Sequence, residues 1–183
     1  MTIANASAPH LLIRAVPQAD LRRWREQGHD DYGHPLILRR GDAGNPLRCC
    51  LRDSTEEDAI VLVSYAPVRR SMEWLGATGS TGSTGGCSSP YDEVGPIFVH
   101  ATECSGPEDD AAYPAVWVSR PQVLRAYDAA GSIVGGLLLQ PGDDRDEAAR
   151  ELLADPAVAF VHSRNVVYGC YMLELSRGSH GPR

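Results

Sequence analysis

The stretch Ser89-Pro90-Tyr91-Asp92-Glu93-Val94-Gly95-Pro96-Ile97-Phe98-Val99-His100-Ala101-Thr102-Glu103-Cys104 decides how this chain is read. A turn rich in Gly and Pro delivers the backbone into a short apolar strand over 95–101. That strand stops on a histidine, a carboxylate and a thiol within five residues. Phe98 and His100 share one face and Ile97 and Val99 the other. A strand that ends on three reactive side chain types points to a site at a sheet end, but it does not name a reaction.

Working upstream, 76–86 is a run of Gly, Ser and Thr with no phosphate-loop signature. It reads as a flexible loop insertion, with a lid over a site as the functional alternative. Residues 59–65 (Ala-Ile-Val-Leu-Val-Ser-Tyr) form a continuous apolar run closed by Pro67, the pattern of a buried central strand. Residues 46–52 alternate as a strand, with Leu47, Cys49 and Leu51 opposite Arg48, Cys50 and Arg52. The acidic turn 53–58 would join these two strands as a hairpin. A short strand is expected at 36–38 and a helix at 20–27 with Gly28 as its stop.

Downstream, 104–112 is an acidic loop and 115–119 a short strand. Residues 123–128 and 132–139 read as a second hairpin around Ala129-Ala130-Gly131. Residues 143–154 are the clearest helix, with an acidic first turn that suits the helix dipole. Two strands close the chain, 158–167 and 170–176. The expected architecture is α+β, a mostly antiparallel β-sheet with two helices. It forms a single domain over 10–177, with disordered tails at 1–9 and 178–183.

Composition bounds the function. The 183 residues are 43% hydrophobic and 22% charged, and the formal charge of −7 argues against nucleic-acid and anionic membrane partners. The 17 basic residues are all arginine. A Schiff-base lysine, a lysine base and a P-loop lysine are therefore excluded, and any anion bound by a side-chain cation must sit on Arg or protonated His. No signal peptide or membrane span is evident. Five cysteines in a chain of this size fit a reduced, cytoplasmic setting better than a disulfide framework.

The candidate site residues lie on the strands. Over 158–167, Phe160, His162 and Arg164 alternate onto one face, so a histidine and an arginine stand side by side among apolar neighbours. Both need a partner or a ligand there. Arg125 and Tyr127 share a face of the second hairpin, and Glu174 is placed to pair with Arg164 or Arg125. His100 reads equally as a histidine satisfied at the core edge or as a base or ligand. Cys104 is either a small buried residue or an auxiliary thiol. A set of His100, Cys104, His162 and Cys170 would suit Zn²⁺ by ligand type, but the spacing matches no zinc signature, and the reading assigns no metal ligand and no cofactor. Cys49 and Cys50, pointing to opposite faces of a strand, make a poor redox pair.

Several blocks occur together and in order: Cys50-Leu51-Arg52-Asp53, Ser64-Tyr65-x-Pro67, Pro90-Tyr91-x-Glu93-x-Gly95-Pro96-Ile97-Phe98-Val99-His100, Leu124-Arg125-Ala126-Tyr127-Asp128 and His162-x-Arg164-Asn165-x3-Gly169-Cys170. From about Pro46 to Arg177 the chain resembles an uncharacterised bacterial family catalogued as domain of unknown function 1203. The resemblance implies a small intracellular bacterial protein and no particular reaction. It marks Glu93, His100, Cys104, Arg125, His162, Arg164, Asn165 and Cys170 as residues that stand in motifs.

The sequence reading therefore prefers a small enzyme acting on a small anionic or polar metabolite, with a biosynthetic pathway as its setting. His100 or His162 would be acid and base, Glu93 would orient a histidine, and Cys104 would assist. Arg164 and Arg125, with Asn165 and Tyr127, would hold the ligand. A non-catalytic small-molecule-binding or accessory protein is the alternative, and a metal-binding His/Cys protein the second. The geometric expectation is that His100 and His162 face one pocket, with Arg164 beside them and Cys104 at its rim. Substrate and oligomeric state stay open.

Overall fold

In chain order the elements are β1 (Leu11–Arg14), α1 (Gln18–Gln27), β2 (Ile37–Arg40), β3 (Pro46–Leu47), β4 (Arg52–Asp53), β5 (Ala59–Tyr65), α2 (Pro67–Trp74), β6 (Gly95–His100), a 3-10 turn (Ala115–Trp117), β7 (Gln122–Tyr127), β8 (Ile133–Leu139), α3 (Arg145–Ala154), β9 (Phe160–Asn165) and β10 (Tyr171–Arg177). The structure is a computed structural model describing residues 10–76 and 89–178. The first sheet has the order β1-β10-β9-β7-β8 and the second β2-β5-β6-β3-β4. Every pairing between these strands is antiparallel except that of β3 with β6, which is parallel.

Local chemistry sets these elements. Gly28 ends α1 in the left-handed conformation (φ 73°), donating its N–H to Trp24 O at 2.9 Å. Asp144 caps α3, accepting from Glu147 N at 3.0 Å. Asp128 Oδ1 accepts from Ala130 N and Ser132 N and shapes the β7–β8 turn. Asn165 Oδ1 does the same for Val167 N and Tyr168 N between β9 and β10.

The period-two alternation of β9 sorts its side chains onto two faces. Val161 joins the core that includes Leu153 and Ala149 of α3, while Phe160 joins Tyr127 of β7 and Val68 of α2. The first sheet therefore carries α3 on one face and α2 on the other. The second sheet buries Ile60, Val63, Ile97 and Val99 with Leu21 and Trp24 of α1.

The expected fold class is corrected. The described residues hold three helices and two five-stranded sheets, not one mostly antiparallel sheet with two helices. The additional helix, α2, begins on Pro67, the residue read as closing a strand. Proline has its φ preset for the first helical position and starts α2 there. The 46–52 strand is also corrected. Only Pro46–Leu47 and Arg52–Asp53 are extended, the residues between them make a turn, and β5 pairs with β2 and β6 rather than with this segment. The 115–119 strand is a 3-10 turn instead. The second hairpin and the closing strand pair are present in the order expected. The tail at 1–9, all but Gly76 of the 76–86 loop, and 179–183 lie outside the described residues. No described helix is long and apolar enough to cross a membrane.

Asp30 fastens the approach to β2 onto β5. Its fully buried carboxylate accepts from Tyr32 N and His34 N at 2.9 Å each and from Ser64 N at 2.8 Å. Burial works against the ionised form, but these three N–H donors and His34 overcome it, so the carboxyl titrates below its ordinary range. A group whose folded pKa is depressed stabilises above its unfolded pKa and loses that contribution as pH falls through the folded value. Asp30→Ala is expected to lower unfolding free energy by about 1–3 kcal/mol at neutral pH, because several buried donors lose their acceptor. Urea denaturation checks this, and the gap between wild type and variant should narrow on acidification.

Candidate metal centre

The site starts from the pairing of β3 with β6. Leu47 sits in register with Phe98, and Arg48 N donates to Phe98 O at 2.9 Å. The chain then turns back through Arg48–Leu51, closed by Leu51 N donating to Leu47 O at 2.9 Å. Leu51 takes φ 59°, the sole non-glycine residue with positive φ among the described residues. Arg48 anchors the turn from beneath. Its nearly buried guanidinium donates from Nε to Tyr171 O at 2.8 Å and also binds Pro46 O. Burial pushes its pKa down to about 10, which still leaves it charged at neutral pH.

This turn places two adjacent cysteines against the end of β6. Cys49 Sγ lies 3.2 Å from His100 Nδ1 and accepts from His100 N at 3.3 Å. Cys50 Sγ lies 3.7 Å from the same Nδ1 and 4.0 Å from Cys49 Sγ. Cys104, four residues past the strand end, closes the group. The ligand atoms of Cys49, Cys50, His100 and Cys104 all lie within 4.8 Å of one another.

The opposite edge of the His100 ring is braced. Nε2 is 3.1 Å from Asp58 Oδ1. Asp58 is gripped by Arg52 through two contacts of 2.8 Å and also accepts from Thr55 N and Thr55 Oγ1. The Arg52 fork holds the Asp58 carboxyl well below the usual carboxylate range. Arg52 Nη2 also approaches Nε2, at 2.8 Å. Two neighbours thus compete for this nitrogen: Asp58 accepts from its protonated form and Arg52 donates to its bare form. A cation on Nδ1 selects the Nε2–H tautomer and the Asp58 hydrogen bond.

The thiols divide their protons unequally. Hydrogen bonds to Cys104 and Cys50, with burial added, push the Cys49 thiol up. The contact with Cys49 pushes Cys50 and Cys104 down against the effect of burial, and the Gly106 N–H assists Cys104. Cys50, His100 and Cys104, together with Arg52 and Asp58, line a cavity of about 660 Å³, while Cys49 sits fully buried behind them.

These spacings fit one tetrahedral ion. Zn–S bonds of about 2.3 Å and a Zn–N bond of about 2.0 Å put sulfur atoms about 3.8 Å apart and sulfur and nitrogen about 3.5 Å apart. The sulfur–nitrogen spacings of 3.2 and 3.7 Å bracket the second value, the Cys49–Cys50 sulfur spacing of 4.0 Å lies just above the first, and the remaining spacings stay within 4.8 Å. A carboxylate on the far nitrogen of the ligating histidine completes the arrangement that orients such a ligand.

The sequence-predicted residues separate into two places. His100 and Cys104 meet in the cluster. His162 is fully buried among Tyr127, Phe160 and Tyr171, with ring centroids 4.8, 5.0 and 5.0 Å away, and is not among the residues lining the large cavity. Its Nε2 lies 2.8 Å from Ser71 Oγ, whose single hydroxyl proton is within reach of both Glu174 and Pro67 O. Burial, then Arg164 and Arg125, drive its pKa well down, so the ring is neutral. Among the described residues the two histidines therefore do not share the expected single pocket.

Arg164 is buried and pairs with Glu93, with Arg125 Nη1 4.0 Å from the same carboxylate oxygen. Glu174 pairs with Arg14 at 2.6 Å, not with Arg164 or Arg125. Asn165 shapes its hairpin, and Tyr127 stacks on Phe160 at 5.0 Å. Cys170 stands near Arg164, away from the thiol cluster. Cys49, Cys50, Asp58 and Arg52 were missed as site residues. The signal available was the adjacent cysteine pair upstream of a strand that ends in His-x3-Cys.

The sequence profile of the family described as "Protein of unknown function (DUF1203)" matches residues 44–177, and the chain belongs to that family. The matched span contains all four members of the cluster as well as Asp58, Glu93 and Arg164. Neither the curated proteins nor the solved structures include a match.

In reduced, metal-free protein, exposure and thiolate character together order the reactivity of the cluster. Brief alkylation with peptide mapping by mass spectrometry should modify Cys104 and Cys50 before Cys49. Early modification of Cys49 would contradict the geometry.

Proposed function

We propose that this DUF1203 member is a metal-binding protein whose Cys49, Cys50, His100 and Cys104 hold a single zinc-type ion on the wall of a ligand cavity. The observation that carries the reading is the convergence of four ligand atoms within 4.8 Å, with the free edge of His100 braced by Asp58. Thiolate-rich donor sets select Zn²⁺, Cu⁺ or iron over hard cations, and a tetrahedral set of three sulfurs and one nitrogen suits Zn²⁺.

Four protein ligands leave no open coordination position, which is the pattern of a structural centre rather than a hydrolytic one. When bound, the ion would cross-link the 48–51 turn to the end of β6 and to the loop carrying Cys104. These segments form one side of the 660 Å³ cavity. Asp58, gripped by Arg52, then keeps His100 in the ligating tautomer, and both residues present charged groups to whatever occupies that cavity. An enzyme built on His100 and His162 together finds less support, because the two rings belong to different sheets and His162 is sealed among aromatic side chains.

Elemental analysis of protein purified without an affinity tag is expected to give one zinc-type ion per chain. Cys49→Ser and Cys104→Ser should lose it, and Asp58→Asn should weaken it by about 10–100-fold. Chelation should lower the melting temperature, since binding energy at such a site is also folding energy. Substoichiometric metal with no loss of stability on chelation would overturn the proposal.

A further inference from the structure

A second, smaller cavity of about 140 Å³ lies away from the thiol cluster, between the start of β6 and the β9–β10 turn. Arg164 lines it with a side chain only 4% exposed. Nη1 donates to Gly169 O at 3.1 Å and Nη2 is ion-paired with Glu93, yet neither Nη2 nor Nε makes a hydrogen bond. Buried polar groups are normally satisfied, and two buried nitrogens of one guanidinium left without a hydrogen bond on a cavity wall call for an acceptor.

The charges do not balance. Arg164 and Arg125 both face Glu93, and among the described residues no other carboxylate pairs with either arginine. His162, beneath this face, is neutral and supplies no charge in either direction. Two guanidinium groups therefore share one carboxylate, and that carboxylate sits on a side chain 45% exposed to solvent. Removing a charge from water while leaving it partly paired is unfavourable, so the cavity retains an excess attraction for an anion.

From this we propose that the Arg164 cavity is a binding site for a short-chain monocarboxylate, which takes the place of the Glu93 carboxylate on the guanidinium fork. The class follows from the site. The group now on Arg164 is itself a carboxylate, the shape that a planar fork matches. Pro96 and the rings of Tyr65 and Tyr171 provide apolar walls for a short tail. At about 30 Å³ per water, the space equals four or five waters, enough for an acetate- or propionate-sized ion. This site is separate from the proposed metal centre, and neither reading depends on the other.

The test is titration of the full chain with acetate at fixed ionic strength, with acetamide as the neutral isostere, followed through the amide resonances of Gly169 and Cys170. Acetate should give saturable shifts and acetamide none. Glu93→Gln, which removes the competing carboxylate from an exposed position, should tighten the acetate Kd by roughly tenfold. Arg164→Gln should abolish the response. If that variant does not fold, Glu93→Gln still decides the question. No saturable shift in either wild type or Glu93→Gln, an equal response to acetamide, or weaker binding by Glu93→Gln would each overturn the proposal.

Discussion

The parallel pairing of the two-residue strand β3 with β6 governs the rest of the site. Leu47 alongside Phe98 forces the chain to turn within four residues, and that turn sets Cys49 and Cys50 against the last residue of β6. The turn requires Leu51 at φ 59°, a conformation that disfavours a residue with a Cβ by about 1–2 kcal/mol. Burial of the Leu51 side chain and the two carbonyls held by Arg48 offset that strain. Because one of those carbonyls belongs to Tyr171 of β10, the cysteine turn is fixed to both sheets at once. Strain of this kind persists where the surroundings overdetermine it, and it gathers at functional positions.

The two polar regions are electrostatic opposites. At the end of β6, three thiols and a carboxylate surround one imidazole, with Arg52 as the compensating cation. At the start of β6, two guanidinium groups share one carboxylate. The first arrangement suits a cation and the second an anion, and the six residues of β6 separate them. His162 belongs to neither. With Ser71 and Glu174 it forms a buried polar link between α2 and the first sheet, and Arg14 balances the carboxylate whose pKa burial raises. A histidine and an arginine side by side on an apolar strand face thus turned out to serve two purposes, one inside the core and one at a cavity wall.

Much of the strand content was legible because period-two alternation and turn residues are local signals. The runs at 59–65, 95–101, 123–128 and 132–139 all carry them. The capped helix after Asp144 and the glycine stop of α1 were legible for the same reason. Three features were not. Pro67 could close a strand or open a helix, and only the packing of Val68 against Tyr127 and Phe160 selects the helix. The alternation of 46–52 imitated a strand because its inward residues, Leu47, Cys49 and Leu51, are all buried in a turn as well. That misreading sent Cys49 and Cys50 to opposite faces and hid half of the thiol cluster. Finally, membership of His100 and His162 in different sheets depends on long-range pairing that no local pattern encodes.

The central claim is one ion held by three sulfurs and one nitrogen. X-ray absorption at the metal edge of the purified, untagged protein tests it most directly. The account predicts a first shell of about three sulfur atoms near 2.3 Å and one nitrogen near 2.0 Å, with the nitrogen contribution lost in His100→Ala. A shell made only of oxygen and nitrogen, or a sulfur shell unchanged when both Cys49 and Cys104 are replaced by serine, would contradict it.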